Sequence, residues 1–480
     1  MPEIRATHCA CEGWEAGRPV IVRHEDGIVT AVEPDEVRAG ERRRLLLPAL
    51  ANAHDHARPI PLSSFGAVGM PLETWLPRSM LATPPDAYLA SAAPLARAAR
   101  SGAGAVMIHY TRPSGLQPIV DEARDVARAA RDVGVRIAFA LAVRDINPLV
   151  YGDETELLNG LPAEMRDAVA AVYLRAPPRV EELIETYEAV AEAIAGPMVD
   201  VQYGPAGVQW CSTSLLEAVA ERSAATGRRV HMHLLETPYQ RAYADRTFPQ
   251  GVVRHLRDIG LLSDRLSLAH CIHARPDELE LIAEAGATIV VNSSSNLHLR
   301  SGLIPLERAV ALGCRIAVGM DGLAFDEDDD IVRETRLAYA LHAGSGFRET
   351  FSRADFLRRT VADGRRSLGV AGNGALAVGA PADFAVLDLD RLDRDALVPV
   401  APTDLLFARG TASHVRDVYV AGNRIVADGA VTGIDLDAVE TELRALYRAN
   451  SRRFAALDLA WPHLRNGIEH WFAARGMQCC

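Results

Sequence analysis

Between about residue 45 and residue 322, short apolar runs alternate with alanine- and leucine-rich stretches whose apolar positions recur with the period of a helix. The pattern predicts eight strands, at residues 45–53, 105–110, 135–143, 199–203, 229–234, 266–271, 287–291 and 315–320. It predicts helices between them at residues 85–100, 120–133, 180–195, 214–226, 252–260, 277–285 and 306–312. This alternation is typical of a closed parallel (β/α)8 barrel rather than an open doubly wound sheet, so the predicted fold class is α/β.

The two flanks of this region have a different pattern. Residues 18–34 are predicted to form two strands around an Asp-Gly turn, and residues 380–388 and 414–432 are similarly β-rich and interrupted by turns. We expect both chain ends to build one small β-sandwich domain beside the barrel. The predicted organisation is residues 1–48 and 373–435 for the two parts of the sandwich, 49–372 for the barrel and 436–480 for a helical tail.

Composition excludes several classes of function. The 480-residue chain is 49% hydrophobic and has a net charge of −12, from 51 basic and 63 acidic residues. Such a balance argues against a nucleic-acid or anionic-membrane surface, which needs clustered positive charge. The sequence contains no lysine, so all 51 basic residues are arginine. That excludes a lysine Schiff base, a phosphate-binding loop of the GKS/GKT type and a carbamylated lysine that bridges two metal ions.

The sequence also carries a prediction about location. No stretch approaches 18 uncharged apolar residues, and the first residues lack the apolar core of a secretion signal. The seven cysteines are scattered rather than arranged as a disulfide framework. We therefore expect a cytoplasmic protein without a membrane partner.

Histidines stand at the ends of two predicted barrel strands. The first strand ends in His54-Asp55-His56, and the fifth contains His231-Met232-His233 with Glu236 just beyond it. Residues i and i+2 of a strand face the same side, so each histidine pair points into the barrel mouth, with His231 one layer deeper than His233.

Two further strand ends add to this rim. The sixth strand ends at His270, and the eighth is followed by Asp321. Three or four histidines and one aspartate that converge at one rim suit a catalytic zinc or iron site with an open position for water. A single buried histidine is usually a core residue, but the joint pattern on strands one, five, six and eight favours a metal site.

These motifs resemble those of the amidohydrolase superfamily, within the branch of cytosine, guanine, 8-oxoguanine and S-adenosylhomocysteine deaminases and triazine hydrolases. The resemblance rests on LPALANAHDH (47–56), GMPLETWL (69–76), HMHLLET (231–237), LAHCIH (268–273), SSSNLHLRSGLIPL (293–306), GMDG (319–322) and GALAVGAPADFAVLD (374–388). They extend over nearly the whole chain, barrel and sandwich together.

The resemblance implies one divalent metal per chain, with zinc expected before iron. The implied ligands are His54, His56, His233 and Asp321. In the family pattern His270 matches the histidine that touches water or substrate, and Glu236 matches the acid that shuttles protons. We therefore expect Glu236, His270 and Asp321 to be the catalytic residues. The absence of lysine agrees with the mononuclear branch.

The implied reaction is hydrolytic deamination of a small heterocyclic substrate. An amino-substituted purine, pterin, pyrimidine or triazine ring would be attacked by metal-activated water and would release ammonia. Hydrolysis of another C–N bond or of a C–Cl bond on such a ring is the alternative, since some triazine hydrolases share the same elements. A non-catalytic barrel kept as an interaction module is a different class, and the presence of every expected ligand argues against it.

Substrate contacts are predicted only from their position near strand ends. Aromatic side chains there could stack on a flat ring, and an arginine would suit a carboxylate or a ring carbonyl. The candidates are Trp75, His109, Arg144, Gln202, Trp210 and Asn292. For His109 in particular, packing in the core is the alternative to substrate contact.

Two segments, one after the last predicted barrel strand and one in the C-terminal tail, each have two interpretations. The acidic run 326–330, where the family pattern has asparagines, is either a solvated helix N-terminus or a rim that gates substrate or attracts cations. In the tail, Leu464, Ile468, Trp471 and Phe472 share one helix face, which either forms an interface between subunits or docks onto the barrel of the same chain. The resemblance implies a homodimer or larger homo-oligomer.

Overall fold

The structure is a computed structural model that describes residues 2–10, 17–322 and 326–475. Its strands are β1 (Glu3–Ala6), β2 (His8–Cys9), β3 (Val20–Glu25), β4 (Ile28–Pro34), β5 (Arg44–Pro48), β6 (Leu50–Asn52), β7 (Ala103–Tyr110), β8 (Arg136–Val143), β9 (Val199–Pro205), β10 (Val230–Leu234), β11 (Leu266–His270), β12 (Thr288–Val291), β13 (Arg315–Val318), β14 (Gly344–Ser345), β15 (Arg348–Glu349), β16 (Phe384–Asp388), β17 (Val415–Val420), β18 (Asn423–Ala427) and β19 (Ala430–Val431).

The helices are α1 (Leu72–Ser79), α2 (Ala87–Arg100), α3 (Ile119–Val133), α4 (Thr155–Asn159), α5 (Ala163–Tyr173), α6 (Val180–Ile194), α7 (Thr213–Thr226), α8 (Pro238–Thr247), α9 (Val252–Asp258), α10 (Pro276–Ala285), α11 (Ser293–His298), α12 (Leu306–Ala311), α13 (Ile331–His342), α14 (Arg353–Ser367), α15 (Leu389–Leu392), α16 (Pro402–Arg409), α17 (Leu436–Ala449) and α18 (Ala455–Ala474). Within the described residues, no helix combines the length and apolar character that a membrane span needs.

Strands β6 to β13 form one parallel sheet in which each strand neighbours the next in sequence. The first and last strands meet, since Ala53 N donates to Val318 O at 2.9 Å and Asp321 N donates to His54 O at 2.9 Å. The sheet therefore closes on itself, and the predicted (β/α)8 barrel is confirmed. Its interior is packed, as the fully buried β7 illustrates, and the carboxyl ends of its strands meet at one rim.

The predicted first strand, residues 45–53, is divided between two sheets. β5 pairs with β16 in the small domain, where Pro48 is opposite Phe384, whereas β6 pairs with β7 in the barrel. Ala49 still donates its N–H to Asp383 O at 3.1 Å, next to β16, whereas Leu50 donates to Gly102 O at 2.9 Å, next to β7. One continuous apolar run hides this change of partner, because both halves are buried.

The small domain draws strands from both ends of the chain, as predicted. One sheet has the order β1-β3-β4, and the other has the order β19-β18-β17-β16-β5-β2. Val22, Leu46 and Phe384 belong to the buried cluster that includes residues of both sheets. The Asp26-Gly27 turn between β3 and β4 has φ values of 51° and 80°, as the predicted tight hairpin requires. The domain boundaries given above stay a prediction.

Candidate metal centre and substrate cavity

Four strand ends bring the predicted ligands and His270 together at the barrel rim. His54 and His56 follow β6, His233 lies in β10, and Asp321 follows β13. His54 Nε2 and His56 Nε2 lie 3.1 and 3.0 Å from Asp321 Oδ1, and His233 Nε2 lies 3.4 Å from His56 Nε2. At the end of β11, His270 Nε2 lies 3.9 Å from Asp321 Oδ2. Ligand atoms of His54, His233, His270 and Asp321 all lie within 4.8 Å of one another.

Main-chain carbonyls fix the orientation of two of these imidazoles. His56 Nδ1 lies 2.8 Å from His109 O, and His233 Nδ1 lies 2.7 Å from Ala206 O. A carbonyl oxygen can only accept, so each Nδ1 carries the proton and donates it. Each neutral ring therefore presents the lone pair of its Nε2 to the centre of the site.

Several buried polar atoms at the centre lack a hydrogen bond. Among the described residues, His54 Nε2, His270 Nε2 and Asp321 Oδ1 find no hydrogen-bond partner. Unpaired buried polar atoms are costly and are rare in folded proteins. Three or four imidazole nitrogens and one carboxylate that converge without partners are the donor set that zinc or ferrous iron prefers, so the residues present fit a divalent metal.

The protonation states also suit metal binding. Burial lowers the pKa of His54 to about 3 and holds the pKa of His233 well below its ordinary value. Burial would raise the pKa of Asp321, but the imidazoles of His54 and His56 outweigh it, and the pKa lies well below the usual range. Neutral imidazoles and an ionised carboxylate are the forms in which these side chains coordinate a metal.

Backbone conformation at the rim is unusual. Leu235, His270, Cys271 and Asp321 all have φ between 50° and 77°, in the left-handed region that L-residues seldom adopt. Leu235, His270 and Cys271 lie at the end of β10 or β11 or directly after it, and Asp321 lies three residues past β13. Such strain concentrates at functional sites because the surrounding fold must impose it.

Glu236 lies beside this cluster, just beyond β10. Its carboxylate is buried, with Oε2 at 3.8 Å from His270 Nε2 and at 3.4 Å from Gln240 Nε2, which donates to it. Oε1 has no hydrogen-bond partner among the described residues. Burial raises the pKa of Glu236 well above its ordinary value, and the carboxylates of Asp321 and Glu73 raise it further. A carboxyl group in this position can hold a proton near neutral pH.

A cavity of about 1040 Å³, its open mouth included, extends outward from these residues. Three of the predicted substrate contacts, Trp75, Arg144 and Trp210, line it. Its lining also includes His56, His233, Glu236, His270 and Asp321. The cavity thus connects the candidate metal centre with solvent.

The other three predicted contacts do not line the cavity in the described part of the chain. His109 lies behind the ligands, stacked 5.7 Å from the His56 ring. Gln202 Nε2 donates to the carbonyl of Ser367, the last residue of α14, at 2.8 Å, and Asn292 Nδ2 lies 3.3 Å from His270 Nδ1. Inward alternation places all three in the barrel, but each side chain is turned to a buried partner rather than to the cavity.

Sequence reasoning did not select several residues that line the cavity. Glu73 belongs to the GMPLETWL motif, and its Oε1 accepts from Tyr151 Oη at 3.0 Å and from Thr237 Oγ1 at 2.6 Å. Burial raises the pKa of Glu73 to about 7. Tyr151 and Tyr173 lie in the segment between β8 and β9, where no motif indicated a site, and Arg112 lies two residues past β7.

The last residue of the acidic run after β13 caps the N-terminus of a helix, as the first of the two interpretations given above predicts. Asp330 caps α13, since its carboxylate accepts from Arg333 N at 3.0 Å. Asp329 and Asp330 are buried rather than solvated, and Asp329 pairs with Arg97 at 2.7 Å. The adjoining residues 323–325, which include Ala324 and Phe325, lie outside the described residues.

The C-terminal helix docks onto its own chain. Leu464, Ile468, Trp471 and Phe472 on α18 are all buried, and they share one cluster with Tyr151 and other residues of the β8–β9 segment. The face considered as a subunit interface is therefore already covered within one chain. Homo-oligomerisation and a cytoplasmic location stay predictions from the sequence.

Docking of α18 supports the cavity wall. The Phe472 ring lies 5.2 Å from the Tyr151 ring, and Tyr151 in turn donates to Glu73, which also lines the cavity. We expect Phe472→Ala to destabilise the protein by about 3–5 kcal/mol and to raise KM while metal content stays unchanged. Chemical denaturation, steady-state kinetics and elemental analysis would measure these effects. Leu459→Ala, at an exposed position of the same helix, is the control, and equal behaviour of both variants would contradict the supporting role.

Comparison with known proteins places this geometry in context. The model of the amidohydrolase family matches residues 45–425. An 8-oxoguanine deaminase of Pseudomonas aeruginosa is 30% identical over 409 residues, which are 84% of this chain and 87% of that protein. A 5-methylthioadenosine/S-adenosylhomocysteine deaminase of Pyrococcus furiosus is 26% identical over 417 residues, 84% of this chain and 90% of that protein.

Solved structures share the fold. Atrazine chlorohydrolase from Arthrobacter aurescens TC1, complexed with zinc, superposes with a TM-score of 0.77 at 22% identity, covering 93% of this chain and 100% of that one. An adenosine deaminase from Xanthomonas campestris with bound zinc gives 0.74 at 22% identity, covering 94% and 98%. The barrel with its flanking sheets is thus a known architecture.

Proposed function

Because the chain belongs to the amidohydrolase family, we propose that it is a metal-dependent hydrolytic deaminase of an amino-substituted nitrogen heterocycle and releases ammonia. The observation that supports this most is the placement of a buried, protonatable Glu236 next to His270 and beside the cluster of His54, His56, His233 and Asp321, at the inner end of one cavity. The cluster suits activation of water, and the carboxyl group suits protonation of a ring nitrogen.

We propose His54, His56, His233 and Asp321 as the ligands of one divalent metal, zinc before iron. Two buried ligand atoms without a hydrogen bond among the described residues, His54 Nε2 and Asp321 Oδ1, support this assignment, and the two solved structures named above contain zinc. A bound divalent metal would supply Lewis-acid chemistry, which lowers the pKa of water toward neutrality.

The chain's own acid–base groups would then guide the protons. Asp321 is ionised and accepts a proton from the attacking water, whose oxygen bonds to the carbon that bears the amino group. His270, with Nδ1 held 2.9 Å from Asn296 Oδ1, orients that water through Nε2. Glu236 donates its proton to the ring nitrogen next to the attacked carbon. The proton held by Asp321 passes to the amine, and the C–N bond breaks as the attached oxygen forms the carbonyl. The remaining proton of that oxygen returns to Glu236, and ammonia leaves.

The cavity favours a flat substrate larger than a bare ring. Trp75 and Trp210 offer aromatic faces, and Leu149, Tyr151 and other apolar side chains extend the walls outward. The two relatives named above act, as their names state, on 8-oxoguanine and on adenosine derivatives. We therefore place purine-type substrates ahead of pterins, pyrimidines and triazines.

Ammonia release from a panel of aminopurines, adenosine derivatives, pterins, cytosine and aminotriazines tests this function. We expect kcat/KM to be highest for one purine-type compound and to vanish when a chelator removes the metal. A chlorotriazine in the same panel, followed by chloride release, tests the alternative leaving group. Chloride release without deamination of any panel member would contradict the proposal.

A further inference from the structure

His231 lies directly behind one of the proposed ligands, on the side away from the cavity. It is fully buried in β10, and its ring lies 4.9 Å from the His54 ring, tilted by 34°. His231 Nε2 is 2.7 Å from His54 Nδ1. A short hydrogen bond therefore joins the two nitrogens across the barrel interior, with one proton between them.

The other nitrogen of His231 continues the contact to the neighbouring strand. His231 Nδ1 is 2.6 Å from Ser267 Oγ, and Ser267 is opposite His231 in the parallel register of β10 and β11. Ser267 Oγ is in turn 3.3 Å from Val230 O. Three hydrogen bonds thus connect a main-chain carbonyl to the back of His54.

The Val230 carbonyl at the end of this chain of hydrogen bonds determines which group donates in each of them. Val230 O can only accept, so the Ser267 hydroxyl donates to it and its oxygen accepts from His231 Nδ1–H. A neutral His231 then has a lone pair on Nε2, which accepts the proton of His54 Nδ1. His54 is left with the lone pair on Nε2, which points at Asp321 and the centre of the site.

We propose that His231 is a positioning residue for the metal centre: with Ser267 behind it, it holds His54 in the tautomer and orientation that present Nε2 to the metal. This inference rests on the metal site of the proposed function. The other site histidines are held differently, by the carbonyls of His109 and Ala206 and by the Asn296 side chain. His54 is thus positioned by side chains that substitution can remove without changing the backbone.

A histidine that only fills the core would have another signature. Phenylalanine has a ring of similar size but no nitrogen, so His231→Phe would preserve packing and remove the acceptor. His231→Gln offers an amide oxygen that can accept from His54 Nδ1–H. A core-filling role predicts that Phe is the better replacement for metal binding, whereas a positioning role predicts that Gln is.

The test measures Zn²⁺ affinity of the metal-free full-length protein by competition with a chromogenic chelator, without substrate. We expect His231→Phe to weaken zinc binding about 10–100-fold, the usual cost of losing a group that orients a ligand, and His231→Gln to recover most of it. Ser267→Ala should weaken binding less, and it should add nothing in the His231→Phe background, because the serine acts only through His231. Ser91→Ala, another buried serine that donates to a carbonyl, is the control.

Each outcome decides between the two roles. Zinc affinity of His231→Phe within twofold of the wild-type value would overturn the positioning role. If that variant does not fold, Ser267→Ala decides, since wild-type affinity in a folded Ser267→Ala protein would overturn the chain of hydrogen bonds. A wild-type protein that binds no zinc would instead refute the metal site of the proposed function.

Discussion

Replacing His233 with alanine is expected to remove the metal and the activity together. The imidazole supplies Nε2 to the centre of the site, 3.4 Å from His56 Nε2, and a methyl group in its place offers no ligand. Loss of a group that merely orients a ligand typically costs about 10–100-fold in metal affinity, so loss of the ligand itself should cost more than about 100-fold. Elemental analysis should show one metal per wild-type chain and almost none in the variant, with turnover at background.

The control for this prediction is a histidine outside the site. His255 lies on α9, stacked 4.5 Å from the Phe248 ring, and His255→Ala should keep both metal and activity. Full metal content in a folded His233→Ala protein would remove His233 from the ligand set. Two metals per wild-type chain would contradict a mononuclear site.

The sequence could predict which side chains converge at the barrel rim because strand geometry links residue spacing to direction. Alternation along a strand places residues i and i+2 on one side, so His54 with His56 and His231 with His233 had to face the barrel interior once the strands were recognised. Parallel strands of a closed barrel end at one rim, which brings His270 and Asp321 to the same place. None of this needs knowledge of a distance.

Distances between side chains on opposite strands of the barrel could not be predicted from alternation alone. Alternation indicates that His231 faces inward and lies deeper than His233, but the 2.7 Å contact with His54 depends on the tilt and stagger of non-adjacent strands. The same limit explains Gln202 and Asn292, which face inward yet are turned to buried partners. Direction follows from local sequence, whereas partners depend on the closed barrel.

The cavity wall was the least predictable part. Tyr151 and Tyr173 lie in the long segment between β8 and β9, whose short helices α4 and α5 had no strong periodic pattern. Their positions depend on packing against α18, which is more than 280 residues away in sequence. Only the tertiary structure shows that this segment lines the cavity and that the C-terminal helix packs against it.

Replacing Glu236 with glutamine is expected to leave the metal in place and to abolish most turnover. The amide is nearly isosteric and can keep the contact with Gln240, but it cannot hold and release a proton. Because burial raises the pKa of the Glu236 carboxyl, the wild-type group is poised to donate to the substrate ring and to be reprotonated. Acid–base groups contribute about 10²–10⁴-fold, so kcat should fall by that factor with a smaller change in KM.

The contrast between Glu236→Gln and His233→Ala separates proton donation from metal binding, the two roles proposed for the site. Glu122→Gln is the matched control, since Glu122 is equally buried but accepts hydrogen bonds from Tyr110 and Ser114 and does not belong to the cavity lining described above. It should retain kcat in the folded protein. Loss of metal in Glu236→Gln would make the glutamate a ligand, and a near-normal kcat would leave it a structural residue of the rim. A proton donor beside a metal site requires that Glu236→Gln keep the metal and lose turnover, whereas His233→Ala loses both.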